Sequence, residues 1–373
     1  RVLPLVSLLL VVALGAPAVA SAKLPAGFLG VQADGPLFSG QVDVGKELTT
    51  MQQSGVRSIR LAVYWDVAQP YATIADVPPA QAGDFSDEGG TPTRWGVLDL
   101  FIAGAAQRGL RLLPVIQRAP QWARKHPSVG NSPPSASGRQ AYARFLTALI
   151  GRYGPTGAFW TAHPEIPRMP IRQWQVWNEP DGVRDWSDQP GIPAYVKLLK
   201  PAYAAVKAAD PGAQVVLAGL VGRSWEDLQQ VYDKGGGRFF DVAAIHPFSL
   251  EVSNVLKILR LARATMKRNG DAGKRLVVSE LSWPSAKHKT KQQYGFEVSE
   301  QGQAAKIRQA VPQIAARRKP WKISAVFWST WLSYDRDTTY SFDYAGLRRL
   351  RNGKVTPKPA FYAFRSVALR LER

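Results

Sequence analysis

Trp174-Gln175-Val176-Trp177-Asn178-Glu179-Pro180 is a short run with alternating apolar residues that ends in an amide, a carboxylate and a proline. Further along, Val277-Val278-Ser279-Glu280-Leu281-Ser282-Trp283-Pro284 repeats the plan. Apolar runs this short, stopped by a proline, read as buried strands, and each delivers a glutamate to its end. Working outward, comparable runs occupy 28–32, 58–63, 111–116, 172–177, 214–220, 240–245, 275–279 and 323–328. Most are nearly continuous in apolar residues, as strands of a parallel sheet covered on both faces are. Between and after them lie helix-like stretches at 44–53, 95–108, 138–152, 194–209, 225–232, 252–267, 301–316 and 360–371.

Eight strands alternating with eight helices predict a (β/α)8 TIM barrel in a single domain. A doubly wound open sheet is the alternative, since periodicity alone does not close a barrel. The chain exceeds the ~250 residues typical of the fold. The surplus follows strand ends, at 66–93, 118–137, 180–193, 281–300 and 332–357. Those loops would build walls at the C-terminal mouth, where barrel enzymes place their chemistry. Strands four and seven stand across that mouth, so Glu179 and Glu280 can meet over one ligand. Hydrolysis of a glycosidic bond needs such a pair: a protonated acid for the leaving oxygen and an ionised carboxylate at the anomeric carbon.

The segments Asn178-Glu179-Pro180 and Ser279-Glu280 resemble those of the clan of retaining β-glycosidases on (β/α)8 barrels. Arg60, the series Trp65, Pro70, Trp95, Leu98-Asp99, Gly109, Pro120 and Trp122, then His246-Pro247 and Phe327-Trp328-Ser329-Thr330-Trp331, extend the match over about residues 28–368. Within the clan the chain is most similar to glycoside hydrolase family 39 and its cellulase-like relatives. That resemblance implies Glu179 as acid/base and Glu280 as nucleophile. The chemistry agrees: Asn178 can donate to a sugar 2-hydroxyl, and Arg60 beside Glu280 would keep it ionised. Glu179 would then carry the higher pKa, and a separation of about 5–5.5 Å would mean retention of configuration. His246 is expected to position substrate or carboxylates. Unlike family 39 exo-xylosidases, no β-sandwich domain is expected after the barrel, which leaves endo action open.

Trp65, Trp122, Trp177, Trp283, Trp328 and Trp331 fall at or just after strand ends. Indole offers a sugar's C–H face a rigid apolar plane plus one N–H donor. Trp328 is the expected floor of the central subsite, with Trp283, Trp331, Trp65 and Trp122 as further substrate contacts; the alternative is that several simply plug the barrel top. Each catalytic candidate also has a plainer reading, Glu179 as a helix cap or partner of Arg184, and Glu280 as a structural ion pair with Arg60.

The chain of 373 residues has no cysteine, which excludes disulfides, thiolate metal sites and a cysteine nucleophile. Its four histidines, His126, His163, His246 and His288, include no pair at helical spacing. No G-x-S-x-G, H-E-x-x-H or phosphate loop occurs, and two carboxylates with water need no cofactor. Lys and Arg number 48 against 28 Asp and Glu, a net charge of +20. Lys287, His288, Lys289 and Lys291, after Glu280, would steer an acidic polysaccharide if they face the cleft, and are otherwise a solvated loop. No nucleic-acid module is present, so carbohydrate is the expected partner. Residues 1–22 read as a secretory signal, with Ala20-Ser21-Ala22 before the cut, so 23–373 is expected to work outside the cell or in its envelope, with no stable membrane insertion. A non-catalytic carbohydrate-binding envelope protein, or a transglycosylase, on the same barrel are the competing functions.

Overall fold

The computed structural model describes residues 24–372. The expected signal, 1–22, lies outside the described residues. Eight strands form a closed, all-parallel barrel: β1 (Leu29–Ala33), β2 (Ser58–Tyr64), β3 (Arg111–Gln117), β4 (Gln173–Val176), β5 (Gln214–Val216), β6 (Val242–Ile245), β7 (Arg275–Leu281) and β8 (Ile323–Trp328). Each pairs with its neighbour in sequence. The last returns to the first through Leu29↔Val326 and Val31↔Trp328, which rules out the open sheet.

Helices follow every strand: α1 (Val44–Gln53), α2 (Gly96–Ala106), α3 (Ala136–Tyr153), α4 (Ile192–Ala209), α5 (Ser224–Asp233), α6 (Val252–Arg268), α7 (Glu300–Ala316) and α8 (Pro359–Glu372). Three of them start on side-chain caps. Asp43, Ser135 and Ser299 accept from the backbone N–H of Lys46, Gly138 and Gly302, satisfying donors the first turn leaves unpaired.

Inside the barrel's N-terminal half, Leu113, Val216, Val242, Ala244, Val277 and Phe327 pack as one layer. Gly30 on β1 makes room for it, since a Cβ there would lie 2.5 Å from the Phe327 ring. The barrel is therefore a filled core, and open space is confined to its two mouths. At the N-terminal mouth, Arg111, Arg172, Arg275, Arg318, Lys319 and Lys322 line a cavity of about 930 Å³. These six basic residues thus stand at the mouth opposite the carboxylate pair.

Two stretches expected as plain loops contain strands. After β2, Ser86–Glu88 and Thr91–Thr93 form a hairpin. After β8, Leu332–Ser333, Arg348–Arg351 and Lys354–Pro357 make a small sheet. Two buried ion pairs seat that sheet: Lys358 to Asp335 at 3.0 Å, and Arg348 to Glu47 of α1 at 3.0 Å. Neither pairing leaves a periodic signature over strands this short.

The fifth strand is also shorter than the expected 214–220. Leu217 N–H still donates to Val242 C=O, but at the next residue Ala218 N–H donates to the Tyr195 hydroxyl instead. Only an isolated bridge, Leu220↔Ile245, restores the pairing. The departure brings Gly219 beneath the carboxylates.

Candidate active site

Glu179 stands just past β4, on a backbone corner in which Trp177 (φ 69°) and Glu179 (φ 38°) both take left-handed conformations. Such conformations cost roughly 1–3 kcal/mol each outside glycine, and persist only where the surroundings enforce them. Here the enforcement is visible. Trp177 N–H donates to Ile116 C=O (3.0 Å), its indole N–H to Asp185 C=O (3.1 Å), and Glu179 N–H to Gly219 C=O (3.1 Å). Glu280 sits inside β7, so its backbone is already held by the barrel.

Arg60, on β2 and 1% exposed, joins four strands. Its Nε donates to Gln175 (2.7 Å), Nη1 to Gln32 and Glu280 (2.6 Å each), and Nη2 to Asn178 (2.6 Å). A buried guanidinium is tolerable only when its donors are met by a carboxylate and further acceptors in good geometry. The same fork aims Glu280 and Asn178 into one space. Asn178 also bonds Asp185, the acid ahead of the buried Trp186.

His246, after β6, is fully buried, with Nδ1 2.6 Å from Glu179 Oε1 and Nε2 3.8 Å from Glu280 Oε1. Its Nε2 edge abuts Gly219, where a Cβ would approach Nε2 to 1.9 Å, so only glycine fits against the ring. Donor atoms of Glu179, His246 and Glu280 all fall within 4.8 Å of one another. A divalent cation could use such a trio in principle. The Arg60 guanidinium, however, already supplies the positive charge against Glu280, and a second cation there would be repelled.

The environments of the two carboxylates differ. Burial raises Glu179, and the nearby Glu280 charge adds to it, pushing it from 4.5 up to about 8. Burial by itself would also raise Glu280; His246 whenever its ring is protonated, and the Arg60 charge throughout, with hydrogen bonds from Ser329 and Arg60, reverse that and hold it below 4.5. Burial pushes His246 down to about 4, so near neutral pH the imidazole is uncharged and Arg60 is the standing counter-charge. At pH 7 the pair therefore holds one proton, on Glu179. Asp185 and Asp181 are raised to about 7 and about 8 by burial and by the Glu179 charge.

Both glutamates open onto a cavity of about 1600 Å³ at the C-terminal mouth, with 17% of the Glu179 side chain and 10% of Glu280 exposed. Asn178 lines it too, while Arg60 and His246 act from behind. The tryptophans correct the sequence expectation. Trp65, Trp122, Trp283, Trp328 and Trp331 do not line the cavity. Each indole N–H bonds inside the protein: Trp65 to the Gln69 side chain, Trp122 to Gln69 C=O, Trp283 to Leu250 C=O, Trp328 to Ala345 C=O and Trp331 to Glu47. Trp65 packs on Tyr142 and Phe145 of α3, and Trp331 on Phe361 of α8. Only Trp177 reaches the cavity.

The aromatic wall is made instead of residues that sequence reasoning missed: Phe248, Tyr294, Phe296, Tyr340 and Phe342. Phe248 and Phe296 stack at 5.4 Å, and Phe342 meets both edge-on. Tyr294-Gly295-Phe296 after the seventh strand was the available signal. Gln32, Asp34 and Asp185 were likewise missed. Lys287, His288, Lys289 and Lys291 do not line the cavity.

No family model and no curated protein matches the sequence. Solved structures do match in three dimensions. A family 39 glycoside hydrolase from the gut symbiont Bacteroides cellulosilyticus superposes with a TM-score of 0.66 at 20% identity, over 96% of this chain and 66% of that one. A β-xylosidase from Caulobacter crescentus gives 0.60 at 18%, over 92% and 68%. The family 53 glycoside hydrolase catalytic domain from Ignisphaera aggregans gives 0.56 at 21%, over 93% and 98%. This chain thus spans about two thirds of the length of the first two. At these identities the shared property is the fold: a closed (β/α)8 barrel of the kind on which glycoside hydrolases of families 39 and 53 are built, as the sequence resemblance implied.

Proposed function

We propose that this protein is a glycoside hydrolase acting by retaining double displacement, with Glu280 as nucleophile and Glu179 as acid/base. The observation that carries the proposal is the carboxylate pair, facing one cavity with an oxygen of each within 4.8 Å of the other; their surroundings push Glu179 up and hold Glu280 down. Glu280 attacks the anomeric carbon while Glu179 gives its proton to the leaving oxygen; the deprotonated Glu179 then activates water to release the sugar. The short separation favours this route over inversion, which needs about 6.5–9.5 Å to admit a water between the groups. Asn178, held by Arg60, lies next to Glu179 and suits a sugar hydroxyl.

The cavity exceeds the roughly 300–1,000 Å³ of ordinary ligand pockets, which supports an oligosaccharide substrate and endo action. Export is proposed from the N-terminal pattern at 1–22; among the described residues no helix is long and apolar enough to cross a membrane. The test is labelling with an activated 2-fluoro glycoside followed by peptide mapping. A covalent sugar on Glu280 is expected. A label on another residue removes the nucleophile assignment, and Glu280→Gln with undiminished turnover removes the mechanism.

A further inference from the structure

Asp34 follows β1 and faces the cavity with Gln32 and Thr330. Its Oδ2 accepts from Gln32 Nε2 (2.6 Å) and its Oδ1 from Thr330 Oγ1 (2.5 Å). Gln32 in turn accepts from Arg60, which holds Glu280, so one hydrogen-bonded chain fixes Asp34 relative to the nucleophile candidate. Each carboxylate oxygen has two acceptor positions. The protein occupies one on each through these bonds, leaving a matched pair for a ligand. Two neighbouring sugar hydroxyls present donors at that spacing.

Around this end of the cavity the charges are negative. The cations that line the cavity are Arg118, Arg124 and Arg184. Arg118 and Arg124 share the single carboxylate of Asp66, and Arg184, over the Tyr340 ring, acts on Glu179 and Asp185. Arg60 is committed to four protein acceptors. A sugar carboxylate placed between Asp34 and Glu280 would meet two acids that already act on each other, beside an Arg60 whose donors the protein has taken.

Resting on the glycoside hydrolase reading, we propose that the sugar ring seated over Glu280 is a neutral glycone, and that Asp34 selects it by accepting hydrogen bonds from two of its hydroxyls. The basic net charge of the chain is thereby separate from substrate choice, and uronic acids are excluded from this subsite.

The experiment compares 4-nitrophenyl glycosides of neutral pentoses and hexoses with the corresponding uronides and ring-deoxy glycosides. The proteins are the unaltered chain, Asp34→Asn, Asp34→Ala and Glu280→Gln. Neutral glycosides turn over in the unaltered chain and not in Glu280→Gln, and uronides run at least about a hundredfold slower. Because hydrogen bonds to a charged group contribute about 1.5–3 kcal/mol, Asp34→Ala lowers kcat/KM by about 10–100-fold. Removing the glycone hydroxyl that Asp34 binds costs the unaltered chain a similar factor and costs Asp34→Ala almost nothing. A merely structural Asp34 would leave that hydroxyl dependence intact, and Asp34→Asn keeps the side chain's size as a check on folding. Uronides cleaved as fast as neutral glycosides, or an unchanged deoxy penalty in both variants, overturns the proposal. Turnover that survives Glu280→Gln overturns the underlying mechanism instead. Should no glycoside turn over, calorimetric titration with methyl glycosides decides the ligand class: preference for neutral sugars upholds it, preference for uronates overturns it.

Discussion

Replacing Arg60 with methionine keeps most of the side chain's bulk and removes its charge and all four hydrogen bonds. At the observed 2.6 Å between Arg60 and Glu280, the attraction is about 6 kcal/mol at an effective dielectric near 20. Part of that offsets desolvation of the guanidinium, and deleting one member of a buried pair typically costs about 3–5 kcal/mol. Transferred to the ionisation of Glu280, this is about a 10²–10³-fold or greater gain in proton affinity. The carboxyl now held below 4.5 would then be substantially protonated in weakly acidic solution. The acid limb of kcat/KM against pH, measured on an activated aryl glycoside, should therefore move from below pH 4.5 toward neutrality. Stability should change in the same sense. Glu280 titrates lower in the folded chain than in the unfolded one, so its pairing stabilises above pH 4.5 and that contribution fades as pH falls toward the folded value. At neutral pH the variant should melt about 4–7 °C lower, from an unfolding entropy near 2.1 cal/mol/K per residue, with the gap narrowing in acid. An acid limb that stays in place while Tm falls would refute the role of Arg60 in ionising Glu280.

Other outcomes follow from the same geometry. Activity should decline above a pH of about 8, where Glu179 loses its proton, and Glu179→Gln should remove that limb while slowing poor leaving groups far more than 2,4-dinitrophenolate; equal slowing of both would contradict the acid role. Gly219→Ala would press a methyl to 1.9 Å from His246 Nε2. It should cost about 1–3 kcal/mol in denaturant unfolding and shift the alkaline limb, since the His246 contact to Glu179 must break; an unchanged profile would show that the contact does not tune Glu179. Lys358→Met leaves the buried Asp335 without its 3.0 Å partner and should destabilise by about 3–5 kcal/mol, read by calorimetry. A loss under about 1 kcal/mol would mean the rim sheet is held by packing alone.

The barrel was legible because each of its strands is buried on both faces and each helix repeats an apolar stripe, so local pattern and tertiary role coincide. Val44–Gln53 coincides with the range expected from pattern alone. Where the two part company, the pattern misleads. The stretch 217–220 looks like strand, yet its backbone bonds Tyr195 and Glu179 in place of a full ladder. The tryptophans look like sugar platforms by position, yet helices and neighbouring loops take up their rings, as Tyr142 and Phe145 do for Trp65 and Phe361 for Trp331. Periodicity says nothing about which way a loop folds. The aromatic wall, from Phe248 to Phe342, comes from loops after strands six, seven and eight and is assembled only in space.

By itself, the amino-acid order determined the alternation of strand and helix, the two glutamates at strand ends and the choice of chemistry they permit, because hydrophobic period and residue type are local properties. Only the tertiary structure decided which carboxyl is raised and which is held down, and which side chains line the cavity above them. Ionisation depends on burial and on charges from distant strands, as Arg60 and His246 act on Glu280 and Glu179, and those distances exist only once the barrel has closed.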